Sequence, residues 1–578
     1  MSHGESAVHV VTTKREYKGK VYQAHLLRRS YREDGKVKNE TLGNISALPV
    51  YVIDVIRRAL KGIPLVAADE LFEIRQSWHH GAVQAVLAAM KKLEFDGLLA
   101  SRPSRERELV KAMVAARLLD PQSKLATTRS WGTTTLPDEL GVADATEDEL
   151  YDAMDWLLAH QDRIEKRLAI RHLDEESLVL YDLSSTYFEG KSCPLAALGY
   201  NRDGKAGKLQ VNFGVVTNLA GCPVGVSVHP GNTGDPKTLL PQLRRIREVF
   251  GVFRLVMVGD RGMISQKQID VFVEDGAVDW ISALRSVSIR KLYQSGALQM
   301  GLFDQRNLFE LTHPDYPLER LIACRNAELA KLRDHKRTDL IEATRKDVDR
   351  VKQRVDRGRL KGKAAIGVAL GRIINRHKVA KHFLLRITEE GFRYEIRAAR
   401  VAAEAALDGV YVIRTSLPKK KMSSDDAVRS YKRLAGVERA FRSFKSIDLK
   451  VRPIHHYLAD RVRSHIFLCM LAYYVEWHMM NAWRPLLFAD EDLEAKDRRD
   501  PVAPAQRSKS ALAKVSSLEL LDGSRAHSFR TLLREMASIV RNRCRRKGSP
   551  ASEPAFDMTT IPNEKQRRAF ELIGSIRV

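Results

Sequence analysis

The amino-acid sequence predicts an α/β protein. A mixed-sheet core is interrupted by an inserted subdomain, with a mainly helical N-terminal region before it and a helical C-terminal region after it. Three observations carry this. The stretch beginning at Ser177 opens with the continuous apolar run LVLY, the pattern of a strand buried on both faces. Strand and helix patterns then follow in the order β-β-β-α-β-α-β as far as about Arg285. A long charged stretch breaks that order, and the strand GVYVIRTS from Gly409 restores it. At 578 residues the chain is too long for one core.

Taken in order, residues 1–48 read as a basic β-hairpin unit, with Asp34-Gly35 as a turn signal. Residues 49–172 turn helical, as in VYVIDVIRRALKGI and GAVQAVLAAMKKLEFDGLLA. Residues 173–284 form the first part of the core. There LQVNFGVVTN and GCPVGVSVHP flank the turn Asn218-Leu219-Ala220-Gly221. Asp235 and Pro236 open a helix closed by Gly251, FRLVMVGDRG is a fourth strand, Ser265 and Gln268 form a capping box, and VDWISALR is a fifth strand. Residues 285–408 are the insertion, with a charged helix from about Asn326 to Arg357 and a hairpin in KHFLLRITEEGFRYEIRA. Residues 409–487 complete the core with a strand, a helix from about Ser424 to Ser446, and a buried helix from about Leu458 to Trp483. Residues 488–578 hold a polar linker and a basic helix, SFRTLLREMASIVRNRCRR.

Lys and Arg number 97 against 72 Asp and Glu, a formal excess of +25 spread along the whole chain. Such an excess points to a polyanionic partner, usually nucleic acid. Position and charge make residues 49–172 a candidate region for DNA binding or dimerisation. The five cysteines are far apart in sequence and form no C-x-x-C pair, which argues against a zinc ribbon and a disulfide framework. The N-terminus lacks the apolar core of a signal peptide, and the most apolar stretch, His465 to Met480, carries Glu476 and two histidines. A cytoplasmic protein with no membrane association is therefore expected.

The chemistry rests on carboxylates. Asp182 stands at the end of the first core strand and Asp260 at the end of the fourth. Read as one helix at about 100° per residue, Ser424–Ser446 places Tyr431, Leu434, Glu438, Arg442 and Lys445 within an arc of about 80°. A phenol, a carboxylate and two cations then share one stripe. A solvated face with i,i+4 ion pairs would look similar on its own. Two aspartates on strand ends and a glutamate on an adjoining helix instead supply the oxygen ligands that hard divalent cations take in phosphoryl transfer.

The segments YDLSSTYFEG around Asp182, VGDRGM around Asp260 and YKRLAGVERAFRSFK around Glu438 resemble a bacterial insertion-sequence transposase of the DDE class. The group in question bears a Tyr-Arg-Glu-Lys signature on its Glu helix. RPIHHYLADRVRSHIFLCMLAYY resembles that group too, so the resemblance covers about residues 175–485. It implies a ribonuclease H-like core in which the first and fourth strands are central neighbours. It also implies Asp182, Asp260 and Glu438 as the catalytic, metal-binding triad for two Mg²⁺ ions, with Mn²⁺ able to substitute. Tyr431, Glu438 and Lys445 fit the spacing Y-x2-R-x3-E-x6-K, whereas Leu434 occupies the Arg position. Arg442, one turn beyond Glu438, is a candidate replacement cation. Tyr431, Arg442 and Lys445 are thus the expected DNA contacts.

The implied activity is cut-and-paste transposition: hydrolysis at the element's ends, then attack of the freed 3′-OH on target DNA. The expected partners are the terminal inverted repeats and target duplex, engaged by a homodimer without a small-molecule cofactor. Two other readings are a nuclease of the same fold that never joins strands and a degenerate relative that only binds DNA. Glu189, seven residues past Asp182, is a weaker ligand candidate. The pairs His79-His80 and His455-His456 read as polar surface or backbone contacts, Gly199, Gly204 and Gly207 as a loop, and Trp280 as core.

Overall fold

The computed structural model describes residues 7–578 apart from 34, 64–70, 191, 201, 206, 549 and 551, with the backbone alone at 446 and 496. The expected turn residue Asp34 lies outside the described residues. Contacts divide the chain into two units. One comprises the N-terminal segment up to Ser77 together with Arg541–Thr559, and the other runs from Trp78 to Val540 and resumes at Thr560.

The first unit contains a three-stranded antiparallel sheet, Val8–Tyr17, Lys20–Glu33 and Lys36–Asn44, followed by the helix Val50–Leu60. A second small sheet joins Phe72–His79 to Val540–Arg546, which pairs with Phe556–Thr559. The basic C-terminal segment therefore differs from the single helix expected. Its helix ends at Met536, and Val540–Arg546 is a strand. The β-branched Val540 and the alternation of Arg with smaller residues suit an extended strand, here the central one of three, better than a helix interior.

The second unit is built on an eight-stranded sheet. Its strands are β1 (Leu178–Tyr187), β2 (Gln210–Asn218), β3 (Pro223–Pro230), β4 (Leu255–Val258), β5 (Val278–Ala283), β6 (Leu308–Leu311), β7 (Arg320–Arg325) and β8 (Val410–Thr415). They lie in the order β6-β7-β8-β5-β4-β1-β2-β3. The β1–β4 and β4–β5 pairs are parallel and the others antiparallel. Helix α1 (Asp235–Glu248) connects β3 to β4, and α2 (Gln266–Asp275) connects β4 to β5. This is a mixed α/β fold, and the expected β-β-β-α-β-α-β order is the order observed.

The apolar runs lie where burial on both faces requires them. Val179, Leu180 and Tyr181 of β1 and Met257 and Val258 of β4 are fully buried. The turn between β2 and β3 forms as its sequence dictates. Asn218 Oδ1 accepts from the N–H groups of Ala220 and Cys222, each at 3.0 Å, and Gly221 takes a φ of +86°.

The insertion begins later than expected. Leu308–Leu311 and Arg320–Arg325 extend the core sheet, because the apolar run in RLIACR pairs with β8. Outside the sheet stand the 30-residue helix Ala327–Asp356, the helix Lys363–Ile374, and the hairpin Phe383–Ile387 with Phe392–Ile396. Val348, Val351, Ile366, Leu370 and Phe392 give them a small core of their own.

The expected single helix from Ser424 is divided. It runs as α3 (Ser424–Lys432), breaks at Arg433, continues as α4 (Leu434–Arg442) and ends in a π-helical turn over Ser443–Ile447. Gly436 weakens helical continuity near the break, and Ser443 in the turn donates to both oxygens of the buried Glu476 at 2.9 Å. Glu476 belongs to α5 (Ala459–Ala482), buried along most of its length as expected. Among the described residues, no helix is long and apolar enough to cross a membrane.

Candidate active site

The two aspartates are brought together by strand register. The parallel β1–β4 ladder ends at the pair Leu180 and Val258, and Asp182 and Asp260 are each the second residue beyond it. They leave neighbouring central strands at the same end. The first strand does not stop at Asp182, however. Its pairing with β2 continues to Tyr187, since only the parallel partner has ended.

Asp182 is largely buried, and its carboxyl is pushed up to about 7 by burial and by the charge of Asp260, with a further push from Asp235. Arg202 opposes this and is itself paired with Asp235. Asp182 Oδ1 accepts from the Leu183 N–H at 2.8 Å. Asp260 Oδ1 accepts from Gly262 N–H at 2.9 Å and Met263 N–H at 2.7 Å, which fixes the carboxylate over its own turn. A Cβ at Gly262 would lie 3.2 Å from that oxygen, so glycine keeps the turn close. One oxygen of each aspartate is thus oriented by backbone.

Helix α4 is seated by its apolar face. Val437, Ala440, Phe441 and Phe444 are buried, whereas Glu438, Arg439 and Arg442 are exposed. Phe213 of β2 meets Phe441 edge-on with centroids 5.4 Å apart and stacks on Phe444 at 5.9 Å. Such pairs contribute about 1 kcal/mol each beyond their burial. Tyr431, at the end of α3, feels the charges of Asp260, Asp182 and Glu438 together, and with burial these push its phenol up to about 12. Tyr431 is therefore the point at which all three expected carboxylates register. The three are nonetheless spread: among the described residues, the trio of potential ligands lying within 4.8 Å of one another is His172, Cys222 and His478.

The expected stripe is broken by the divided helix. Arg442 is exposed on α4. Lys445, in the π-helical turn, points instead to Asp203, at 2.8 Å. Arg452 reaches the other oxygen of Asp203, also at 2.8 Å. Burial lowers the Lys445 ammonium while Asp203 opposes the shift. Lys445, Arg452, Lys205, Lys450, Tyr187 and Asp203 line a cleft of about 290 Å³.

Asp203, Arg202 and Asp235 are site neighbours that sequence reasoning did not single out. The first two sit in the loop of Gly204 and Gly207, both at positive φ, and the third was assigned only to capping a helix. In fact Gly234 is the N-cap of α1 and Asp235 its first residue. The expected capping box of α2 also differs, with Ser265 bonded to the Gln268 side chain itself.

The other candidates stand elsewhere. Glu189 is exposed and paired with Lys208 at 3.2 Å. Trp280 is buried and donates to Glu319 at 3.3 Å. His79 contacts the Ala537 carbonyl at 2.9 Å, and His80 is buried against Thr135 at 2.8 Å. His456 packs against the rings of Tyr151 and His465.

The family model described as a transposase DDE domain matches residues 176–475, and the N-terminal domain model of IS1634 family transposases matches residues 10–71. No curated protein matches. Among solved structures, a piggyBac transposase synaptic complex with hairpin DNA is similar at 9% identity and a TM-score of 0.32, covering 79% of this chain and 78% of that one. DDE transposase domains are in general dependent on divalent metal. The chain belongs to the insertion-sequence transposases with a DDE domain, and it is an enzyme that cleaves DNA and transfers its strands.

Proposed function

We propose that Asp182, Asp260 and Glu438 are the catalytic carboxylates, on a ribonuclease H-like core, of a cut-and-paste transposase using two Mg²⁺ ions. The observation that carries this is the shared strand end. Two carboxylates emerge side by side from parallel central strands, and their mutual repulsion calls for a cation between them. The donor set fits, being all oxygen with backbone bonds occupying only part of each aspartate. The exposed Glu438 across the site fits a two-ion arrangement, which spreads its ligands wider than a single ion does.

Bound there, divalent ions would supply Lewis-acid stabilisation of the phosphoryl oxygens and favour deprotonation of the attacking hydroxyl. Asp182 must lose its proton to take up that role. Tyr431, kept protonated, donates to a DNA phosphate near the cut, and Lys445 and Arg452 hold a second phosphate in their cleft. In the first reaction water forms a new bond to phosphorus and the P–O3′ bond breaks, leaving a 3′-OH at the element's end. In the second that 3′-OH attacks a target phosphodiester, and the target's own 3′-oxygen leaves. Both ends must be held together, which favours a homodimer on DNA. The basic unit that includes residues 10–71 recognises the terminal repeats.

The test uses labelled DNA carrying the element's ends, with wild type and Glu438→Gln, each in Mg²⁺ and in EDTA. The expected result is metal-dependent cleavage and strand transfer, both lost in the variant by about 10³-fold or more. Cleavage that survives the substitution would remove Glu438 from the triad, and cleavage without joined products would favour a nuclease.

A further inference from the structure

The cysteines are distant in sequence, but folding brings one of them to two histidines, none of which is among the carboxylates proposed above. His172 is the last residue of the helix Gln161–His172, Cys222 ends the turn before β3, and His478 lies near the end of α5. Their potential ligand atoms all lie within 4.8 Å of one another. Cys222 is fully buried and His478 nearly so.

We propose that His172, Cys222 and His478 bind a structural transition-metal ion of the zinc class, separate from the magnesium-type site at the carboxylates. A thiolate and two imidazoles form a borderline-soft donor set that selects zinc over magnesium. The spacing is close to what such an ion demands. Cys222 Sγ and His478 Nε2 are 3.8 Å apart, against about 3.6 Å across a tetrahedral zinc site. Tyr474 Oη, 3.0 Å from His172 Nε2, supplies an oxygen for the fourth position or for a water held there. The two rings stand 5.7 Å apart and inclined at 42°, as two ligands converging on one point do.

The Tyr474 ring packs edge-on against both imidazoles. Arg171, the cation beside them, is engaged with the Leu93 carbonyl at 2.7 Å and with Glu94 at 3.2 Å. Binding would release the thiol proton of Cys222 to solvent and form the metal–sulfur bond, with no change of oxidation state.

The site would fasten three segments that have no other covalent tie. It also lies beside the Glu helix: a Cβ at Gly221, the residue before Cys222, would stand 3.9 Å from the Cα of Gly436, two residues before Glu438. An ion on Cys222 therefore steadies the turn on which that helix rests.

The test uses full-length protein without a histidine tag, purified from zinc-supplemented cells and dialysed. Metal content is measured for wild type, Cys222→Ser, His478→Gln and Asp182→Asn. About one zinc per chain is expected in wild type and in Asp182→Asn, and much less in the other two. In wild-type protein, Co²⁺ exchanged for zinc should give a thiolate charge-transfer band and visible d–d bands, and strong chelation should lower Tm by several degrees. Wild type that retains no zinc and shows no cobalt–thiolate band would overturn the proposal, whether or not the variants fold. So would zinc retained equally in Cys222→Ser and His478→Gln.

Discussion

Two neighbouring parts of the core carry opposite imbalances of charge. At the β1–β4 end, Asp182, Asp260 and Asp235 gather, and Arg202 opposes them. In the cleft near Tyr187, Lys205, Lys445, Lys450 and Arg452 gather around the single carboxylate of Asp203. Buried like charges are costly unless something of opposite sign arrives. On the proposed reading, cations would complete the first region and phosphate the second. The difference lies in their own counter-charge: Asp203 pairs with both Lys445 and Arg452 in the cleft, whereas at the aspartate end Arg202 is paired with Asp235.

This contrast can be broken experimentally. Lys445→Ala should have the largest effect, weakening binding of end DNA roughly 10- to 100-fold, as loss of a charge-assisted phosphate contact does. The slope of log affinity against log salt should become shallower by about one. An unchanged slope in fluorescence-anisotropy titrations would mean that Lys445 serves only Asp203.

Asp203→Asn should act in the opposite direction and by less. With the internal anion gone, DNA affinity at low salt should rise about 5-fold, since the cleft's cations no longer need to exchange partners. Weaker binding in a variant of normal Tm would show that Asp203 orients the cations and does not compete for them.

The smallest effect concerns the aspartate end without metal. The folded-state carboxyl of Asp182 stands at about 7, above its ordinary value near 4. The raised value means the folded form holds the proton more tightly than the unfolded form. Its contribution to stability is therefore complete below about pH 4 and is lost as pH rises through about 7. In EDTA, the Tm of wild type should fall relative to that of Asp182→Asn across this window, and stabilisation by added Mg²⁺ should grow over the same range. Parallel pH profiles for the two proteins would show that Asp182 does not titrate there.

How much could be read in the sequence followed the range of the interactions. The strand ends that carry Asp182 and Asp260 were legible because each follows a local apolar run. The long helix of the insertion and the buried helix after it were legible for the same local reason, a sustained period or a sustained apolar run. The division of the Glu helix was not, because Ser443 in its π-helical turn bonds to Glu476, far away in the chain. Lys445 illustrates the cost: helical phase placed it beside Glu438, and the π-helical turn takes it to Asp203. Cys222 and His478 are separated by 256 positions, so no local spacing could announce their meeting.

The strand Val540–Arg546 has a consequence for how the protein is made. It belongs to the same unit as the N-terminal sheet, pairing with Phe72–His79. The first domain to leave the ribosome is therefore among the last to be finished, since it waits for a strand translated after the entire catalytic core. A message broken anywhere before that point yields a chain whose N-terminal unit lacks its closing strand. Completion of that unit and completion of synthesis are thereby tied together.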